Sequence, residues 1–320
     1  MASFVRASRP QRHWDCSRAM LPNLNGCREM NNFGTTDMVS PLRRVLVKKP
    51  AAAMADADPK IWNYSGPLSG DLLDRDHQAL IDILEKYGAE VLYLEQDPAE
   101  LVDAVFTHDV SLVTPQGVVL CRMGKTLRRG EQALHQEFYQ SQNIPVLGTI
   151  QAPGTLEAGD CVWLDAKTLL VGLGFRTNQE GMSQLQEMLR PQQVEVHGFD
   201  LPVYQGSAAC LHLMSILSML DHNLALVCQS MLPVRLMQFF LSRQIQCVPA
   251  CEDEFKRSGT LSTNVLALAP RELVVVDGFP ETHHRLREAG CTLYPFSGDE
   301  LCLKAEGGPT CLTRPLLRSS

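Results

Sequence analysis

Residues 161–200 have the sequence CVWLDAKTLLVGLGFRTNQEGMSQLQEMLRPQQVEVHGFD, the most regular pattern in the chain. Two apolar runs separated by a short polar turn predict a β-hairpin over residues 161–172. A helix is predicted from Asn178, a good N-cap residue, to Leu189, and the run VEVHGFD predicts a third strand. One such ββαβ unit buries too little apolar surface to be stable alone, so the pattern implies neighbouring units.

The same order of strands and helix recurs from residue 42 onward, in units of about 45 to 60 residues. The other predicted helices cover Leu72 to Lys86, Glu131 to Gln142, Pro233 to Arg243 and Glu281 to Ala289. Five similar units favour an α/β fold, a five-bladed α/β propeller of pseudo-fivefold ββαβ repeats. An α/β sandwich with irregular hairpins is the alternative. In a propeller, strand ends from different units would meet at one mouth.

The composition fits a globular protein that acts on a small molecule. The formal net charge of -7 argues against sequence-independent binding of nucleic acid. No apolar run reaches the roughly 18 residues that a membrane-spanning helix needs. Eleven cysteines without paired spacing are typical of a reducing compartment, so we expect a cytoplasmic protein, and a homodimer is left open. Cys247 and Cys251 lack the second Cys or His pair of a zinc site, so no metal or other cofactor is expected.

The first 37 residues are expected to lie outside the folded domain. Residues 1–29 are rich in Arg and Ser and nearly free of acidic side chains, as transit peptides are, but Pro10 and Pro22 interrupt any amphipathic period. A disordered extension over residues 1–37 is the preferred interpretation. Residues 38–320 are predicted to form a single catalytic domain.

Two side chains could supply nucleophilic catalysis. Cys311 follows a Gly-Gly-Pro turn in GGPTCLTRP; a buried, inert cysteine is the alternative. Its reactive form is the thiolate, which needs a histidine or a cation nearby. His212 has the most apolar context of the nine histidines, which should hold its pKa near or below neutrality, although a core histidine bonded to backbone would look the same. The other candidate histidines, His77, His135, His283 and His284, are expected to be exposed.

The motif TLEAGD at the entrance of the third unit offers a carboxylate that could orient a catalytic histidine. Asp160 lies beside a glycine at the start of a strand and is interpreted as a turn residue. Glu157 has no turn preference that would explain its position. We therefore predict the functional role for Glu157.

Charges of both signs would suit a cationic substrate that also carries a carboxylate. DAVFTHDV supplies Asp103 and Asp109, for which solvent-exposed charge is the alternative. Arg128 in LRRGE and Arg176 in GFRTNQEG suit recognition of a carboxylate by paired hydrogen bonds. Arg176 also directly precedes a predicted helix N-terminus, a place favourable to anions.

Taken in order, these motifs resemble those of the dimethylarginine dimethylaminohydrolases, or dimethylargininases, of the pentein superfamily of guanidine-modifying enzymes. The resemblance extends from Met38 to Arg318, and its motifs are DAVFTHD, LRRGE, APGTLEAGD, FRTNQEG, LHLMSILSM and GGPTCLTRP. It implies a five-bladed α/β propeller, in agreement with the repeats. It also implies a hydrolase of arginine metabolism that cleaves a C–N bond of a linear amidine and needs no cofactor.

The resemblance also implies a role for each candidate residue. Cys311 would be the nucleophile, His212 the general acid and base, and Glu157 the group that orients His212. Four further residues would contact the substrate: Asp109 the guanidinium, Asp103 the α-amine, and Arg128 and Arg176 the carboxylate. His108 stands where family members can carry an acid.

The implied substrate is an N-methylated arginine, asymmetric dimethylarginine or monomethylarginine, cleaved to citrulline and an amine through a covalent thiouronium. Arginine deiminases and amidinotransferases usually carry Asp two residues after the catalytic histidine, where this chain has Met214. An apolar side chain there would suit a guanidinium with fewer N–H donors. Dimethylargininases carry Lys at this position, so an arginine deiminase or dihydrolase is an alternative. A catalytically silent pentein that only binds its ligand is another.

Overall fold

The computed structural model describes Met1, residues 32–207 and residues 209–319. From Asn32 to Ser320 the chain forms one compact unit. Its described part is an α/β fold of five small sheets, with helices packed against their strands. None of the described helices combines the length and apolarity needed to span a bilayer.

The segment that precedes the first strand is packed against the rest of the domain. The Gly34 N–H donates to the Leu316 carbonyl (2.7 Å), and the buried Thr35 hydroxyl donates to the Val113 carbonyl (3.0 Å). The predicted domain boundary, which falls after this segment, is therefore too late, because hydrogen bonds that leave no mark in hydropathy hold the segment in place. The rest of the predicted extension, residues 2–31, lies outside the described residues.

Fifteen strands in the described part of the chain form five separate three-stranded sheets. They are β1 (Leu42–Val47), β2 (Glu90–Tyr93), β3 (Ser111–Thr114), β4 (Gly117–Leu120), β5 (Val146–Thr149), β6 (Cys161–Asp165), β7 (Thr168–Leu173), β8 (Glu195–Asp200), β9 (Leu217–Asp221), β10 (Leu224–Val227), β11 (Gln246–Pro249), β12 (Leu266–Ala269), β13 (Glu272–Val276), β14 (Thr292–Phe296) and β15 (Arg314–Arg318). In each sheet the middle strand pairs antiparallel with one neighbour and parallel with the other.

The described helices lie between and beside these strands. They are α1 (Ala52–Ala55), α2 (Pro59–Trp62), α3 (Gly70–Tyr87), α4 (Glu131–Ser141), α5 (Gln179–Leu189), α6 (Leu213–Ile216), α7 (Val234–Ser242), α8 (Glu252–Arg257) and α9 (Pro280–Glu288). Helices α3, α4, α5, α7 and α9 connect the middle strand of a sheet to its parallel neighbour, and each ends within two residues of its prediction. The predicted N-cap is confirmed, since the Asn178 side chain accepts from the Gly181 N–H (2.8 Å).

One sheet joins the two ends of the chain. Strand β15 pairs antiparallel with β1, which pairs parallel with β2, so the first strand of this ββαβ unit is supplied by the C-terminus. Sequence order alone did not reveal this pairing, because its two strands are far apart along the chain. It gives all five units the same strand pattern, as the predicted pseudo-fivefold repeat requires.

Burial differs between the strands of each unit and shows where the centre lies. All residues of β3, β4 and β10 are buried, whereas every residue of β5 is only half-buried. The first and middle strands therefore form the inside of the fold, and the third strands lie further out. Polar side chains placed just before a first strand accordingly lie near the centre.

Candidate active site

Each of the five units carries a polar side chain just before its first strand. These residues are Asp109 before β3, Glu157 before β6, His212 before β9, Asn264 before β12 and Cys311 before β15. Because the five first strands lie on the inside of the fold, the five side chains occupy corresponding places near its centre. The repeat thereby brings together residues that are far apart in sequence.

A cavity of about 480 Å³ opens where these segments meet. Six of the seven predicted site residues line it: Asp103, Asp109, Arg128, Arg176, His212 and Cys311. The seventh, Glu157, is fully buried and contacts His212. The structure thus brings the whole predicted set together around one cavity.

His212 and Glu157 form a close, buried pair. The imidazole Nε2 lies 2.7 Å from Glu157 Oε2, and the other carboxylate oxygen accepts from the Lys125 N–H at 3.0 Å. Burial alone would raise the pKa of Glu157, but the hydrogen bond and the charge of His212, together with Arg176, hold it well below its ordinary value. Glu157 therefore stays ionised and fixes the orientation of the imidazole.

Asp160 fixes the segment that carries His212, which corrects its interpretation as a turn residue. Its fully buried carboxylate accepts from the Leu213 N–H at 2.8 Å, although it lies 53 positions away in sequence. On the other side, the Ser215 hydroxyl accepts from the His212 N–H at 3.0 Å. These bonds hold His212 at the N-terminal end of α6.

The predicted pKa of His212 is wrong in direction. Burial does lower it, as its apolar context suggested, but interaction with Cys210, Asp109 and Asp160 outweighs burial and raises the pKa well above its ordinary value. Cys210 is a sequence neighbour, but Asp109 and Asp160 belong to other units and could not be inferred from the residues around His212. In the free protein His212 is therefore a cation, ready to act as an acid.

Asp109 lines the cavity, and one of its two buried carboxylate oxygens has no partner among the described residues. Its Oδ2 accepts from Arg128 Nη1 at 2.6 Å, whereas Oδ1 has no hydrogen-bond partner among the described residues and lies 3.8 Å from His212 Nδ1. A buried acceptor without a partner is costly, so it points to a donor supplied by a ligand. The geometry fits the predicted contact between Asp109 and a guanidinium.

The contacts of Arg128 differ from the predicted contact with a substrate carboxylate. It makes four hydrogen bonds, to Asp109, to the Phe106 carbonyl and two to the buried Glu131. Few of its N–H groups are left for a substrate carboxylate, so we interpret Arg128 as the residue that orients Asp109. Arg176 makes one bond among the described residues, from Nη1 to Glu157 Oε2 at 3.3 Å, and keeps donors for a carboxylate.

Cys311 contacts a residue that the sequence analysis missed. The Asn264 side chain lies 3.2 Å from the Cys311 sulfur through Nδ2, and its Oδ1 accepts from the Thr310 N–H at 3.0 Å. Burial raises the pKa of the Cys311 thiol to about 12, the negative charge of Asp109 adds to this, and His212 opposes it. Without a cationic ligand, the thiol is therefore protonated at neutral pH.

This raised pKa predicts how Cys311 reacts with iodoacetamide. Because only the thiolate reacts, the rate constant for labelling Cys311 should rise about tenfold per pH unit between about pH 6 and pH 9. Asp109→Asn should speed labelling, since it removes a negative charge that raises the pKa. Quantitative peptide mass spectrometry after timed quenching checks both results, and a rate that is flat below about pH 8 would contradict them.

Gly159 is essential to the packing of this site. A Cβ built on it would lie 2.5 Å from His212 Nδ1 and 2.7 Å from Asp109 Oδ1, so Gly159→Ala must displace both. We expect kcat/KM to fall about 10²-fold, the size of effect that follows a misplacement of about 1 Å. Gly66→Ala, whose Cβ would have nothing within 4 Å, is the matched control. Equal activity of the two variants, measured on folded protein, would contradict this account.

Other predictions around the site need correction. Met214 is absent from the lining of the cavity and packs in the apolar core, because the backbone at the start of α6 turns it away from His212. It therefore offers no surface to the substrate. Of the histidines expected to be exposed, His284 is exposed, whereas His77, His135 and His283 are buried, since each lies on the inward face of its helix.

Three residues of this site carry the kinds of donor atom that bind metal ions. Donor atoms of Asp109, Glu157 and His212 lie within 4.8 Å of one another, the only such group of three found among the described residues. However, Asp109 and Glu157 already pair with the buried cations Arg128 and Arg176. A further small dication would be repelled by both guanidinium groups, so an organic cation suits this set better.

Comparison with known proteins agrees with the fold. The family model for arginine deiminase matches residues 99–247. The dimethylarginine dimethylaminohydrolase of Pseudomonas aeruginosa is 27% identical over 271 residues, which cover 85% of this chain and 98% of the relative. An arginine deiminase of Listeria monocytogenes is 26% identical over 259 residues, 69% of this chain and 62% of the deiminase. A solved structure of the Pseudomonas aeruginosa enzyme, a cysteine-to-serine mutant complexed with citrulline, has a TM-score of 0.70 at 22% identity, covering 87% of this chain and 100% of that chain.

The five ββαβ units and these similarities support a dimethylarginine dimethylaminohydrolase-like member of the pentein superfamily of guanidine-modifying enzymes. The chain's homologues of named activity are hydrolases that act on C–N bonds of linear amidines. The predicted family resemblance, fold class and enzyme class are confirmed.

Proposed function

We propose that this protein hydrolyses an N-methylated arginine, asymmetric dimethylarginine or monomethylarginine, to citrulline and the corresponding amine. In this proposal Cys311 is the nucleophile, His212 the general acid and base, and Glu157 the residue that orients His212. The observation that carries the proposal is the convergence of Cys311, His212 and Asp109 on one cavity, together with the unpartnered buried oxygen of Asp109.

Substrate binding prepares the nucleophile. The guanidinium donates to Asp109 Oδ1, and its positive charge offsets the Asp109 charge that raises the pKa of Cys311. The thiol then loses its proton to solvent water more readily, and the thiolate attacks the guanidinium carbon. Because the carbon of a guanidinium is already electrophilic, the step needs no cofactor.

His212 serves both halves of the reaction through Nδ1, since Nε2 is held by Glu157. In the first half, protonated His212 gives its proton to the departing amine as the C–N bond breaks, which leaves a thiouronium on Cys311. In the second half, neutral His212 takes a proton from water, and the resulting hydroxide adds to the same carbon. The C–S bond breaks, the thiolate leaves, and citrulline is released.

The preference for a methylated guanidinium is supported by the small number of acceptors in the cavity. Asp109 Oδ2 is taken by Arg128 and Asp103 is taken by Lys125, which leaves Asp109 Oδ1 and the exposed Glu306. A guanidinium with fewer N–H groups leaves fewer donors unpaired when water is excluded. The apolar faces of Phe106 and Trp62 also line the cavity and could receive methyl groups.

The experiment is a product assay with dimethylarginine, monomethylarginine and arginine supplied separately. Citrulline, ornithine, methylated amines and ammonia are measured, together with circular dichroism to establish that the protein is folded. We expect citrulline plus dimethylamine or methylamine, with arginine the poorest substrate. If the folded protein turns over none of the three compounds, the proposal is wrong.

The second candidate is hydrolysis of unmethylated arginine, by a deiminase or by a dihydrolase that proceeds to ornithine. The match of residues 99–247 to the arginine deiminase family model favours it. The product assay separates the candidates, because a deiminase releases ammonia and citrulline from arginine and a dihydrolase releases ornithine.

Cellular location and assembly are also proposals. The nine cysteines of the described chain are all free thiols, which supports a reducing compartment such as the cytoplasm. The homodimer stays a prediction that sedimentation of the purified protein would test.

A further inference from the structure

Lys125 is a cation inside the cavity that the proposed reaction does not use. Its Nζ lies 2.6 Å from Asp103 Oδ2, donates to the Trp62 carbonyl at 3.0 Å and lies 5.1 Å from the centre of the Trp62 ring. The side chains of Lys125 and Asp103 are only 15% and 5% exposed. The pair is therefore poorly solvated and held in place from two sides, unlike a lysine on the surface.

In this ion pair Lys125 already contacts Asp103, the acid expected to bind the α-amine of the substrate. Lys125 donates to Asp103 Oδ2, and the Tyr64 hydroxyl donates to the other oxygen at 2.7 Å. A substrate ammonium group brought to Asp103 would therefore lie next to the ammonium group of Lys125. Two neighbouring ammonium groups repel each other strongly in a poorly solvated cavity. The structure thus gives a free α-amine an unfavourable place to bind.

The remaining charges of the cavity favour an anionic end of the substrate. Arg176 keeps N–H donors beyond its bond to Glu157, and it lines the cavity together with Lys125. These two cations can share a carboxylate. Among the described residues of the lining, the acid not paired with a cation in a salt bridge is Glu306, which is exposed to solvent.

We propose that Lys125 makes this site select guanidino carboxylates that lack a free α-ammonium group, such as des-amino or Nα-acylated arginine derivatives, over the free amino acid. This inference rests on the proposed function, because it concerns the other end of the same substrate. It makes Lys125 a specificity-determining residue. The guanidinium would still bind at Asp109, and the carboxylate would lie between Lys125 and Arg176.

The test measures binding to the Cys311→Ser protein by calorimetry, so that no ligand is consumed. The ligands are dimethylarginine, its Nα-acetyl derivative and its des-amino analogue. With Lys125 present, the two ligands without an α-ammonium group should bind at least about tenfold more tightly than dimethylarginine. In Lys125→Met this preference should shrink to about twofold or less, and Lys125→Arg should keep it. Lys256→Met, which alters an exposed lysine outside the cavity, should change nothing.

Two results would overturn the inference. One is equal or tighter binding of dimethylarginine in the presence of Lys125, and the other is a preference that survives Lys125→Met in protein with an unchanged melting temperature. Glu306→Gln supplies a further check, because weaker binding of dimethylarginine alone in this variant would show that Glu306 takes the ammonium group, against the inference. Absence of turnover in the wild-type product assay, with the binding preference present, would instead overturn the proposed function.

Discussion

Replacing Cys311 by serine is expected to lower kcat for hydrolysis of dimethylarginine by at least about 10⁴-fold. A serine hydroxyl is a much weaker nucleophile than a thiolate, and the site offers it no free base, because the surrounding acids keep His212 protonated. The measurement is the initial rate of citrulline formation at saturating substrate.

The matched control for this variant is Cys247→Ser on β11, which lies outside the cavity and should keep the wild-type rate. Binding of substrate to Cys311→Ser, followed by calorimetry, should persist, because the charged contacts are unchanged. More than about one hundredth of wild-type activity in a folded Cys311→Ser protein would mean that another group attacks the substrate.

Replacing His212 by asparagine is expected to reduce kcat by about 10² to 10⁴-fold, the usual contribution of a general acid and base. The same variant should also slow the breakdown of the covalent intermediate, because water loses the group that takes its proton. Rapid quenching followed by mass spectrometry should then show a thiouronium adduct that both forms and decays more slowly than in the wild type.

His284→Asn is the control for this variant, since His284 is exposed on α9 and its ring pairs only with Glu288 among the described residues. It should keep wild-type kinetics. A His212→Asn protein that retains its fold and loses less than about tenfold in kcat would remove His212 from the mechanism.

Local sequence patterns predicted most of the fold, because the strands of each ββαβ unit show apolar alternation and its helix shows a helical period and capping residues. The five connecting helices were found within two residues of their predicted ends. The pairing of β15 with β1 was not predicted, since it joins opposite ends of the chain. The packing of Thr35 was missed for a similar reason, because its hydrogen-bond partner lies 78 positions away.

In the site, too, sequence motifs predicted some residues, whereas the roles of others became apparent only from contacts in the structure. Motif resemblance named Cys311, His212 and Glu157, which the structure brings together. Asn264 was missed, although the repeat contained the signal, because the four other units each place a site residue just before the first strand. The pKa of His212 depends in part on Asp109 and Asp160 from other units, and the role of Lys125 depends on its contacts with Asp103 and Trp62, which no local pattern contains.

The account depends most directly on the covalent step at Cys311. The measurement is the mass of the peptide that contains Cys311 after acid quenching of the protein during turnover of dimethylarginine. The account predicts an adduct on the Cys311 sulfur with the mass of the substrate less dimethylamine, which forms and decays at rates that match citrulline release. Turnover without such an adduct in the wild type and in His212→Asn, or an adduct on Cys210 instead, would contradict it.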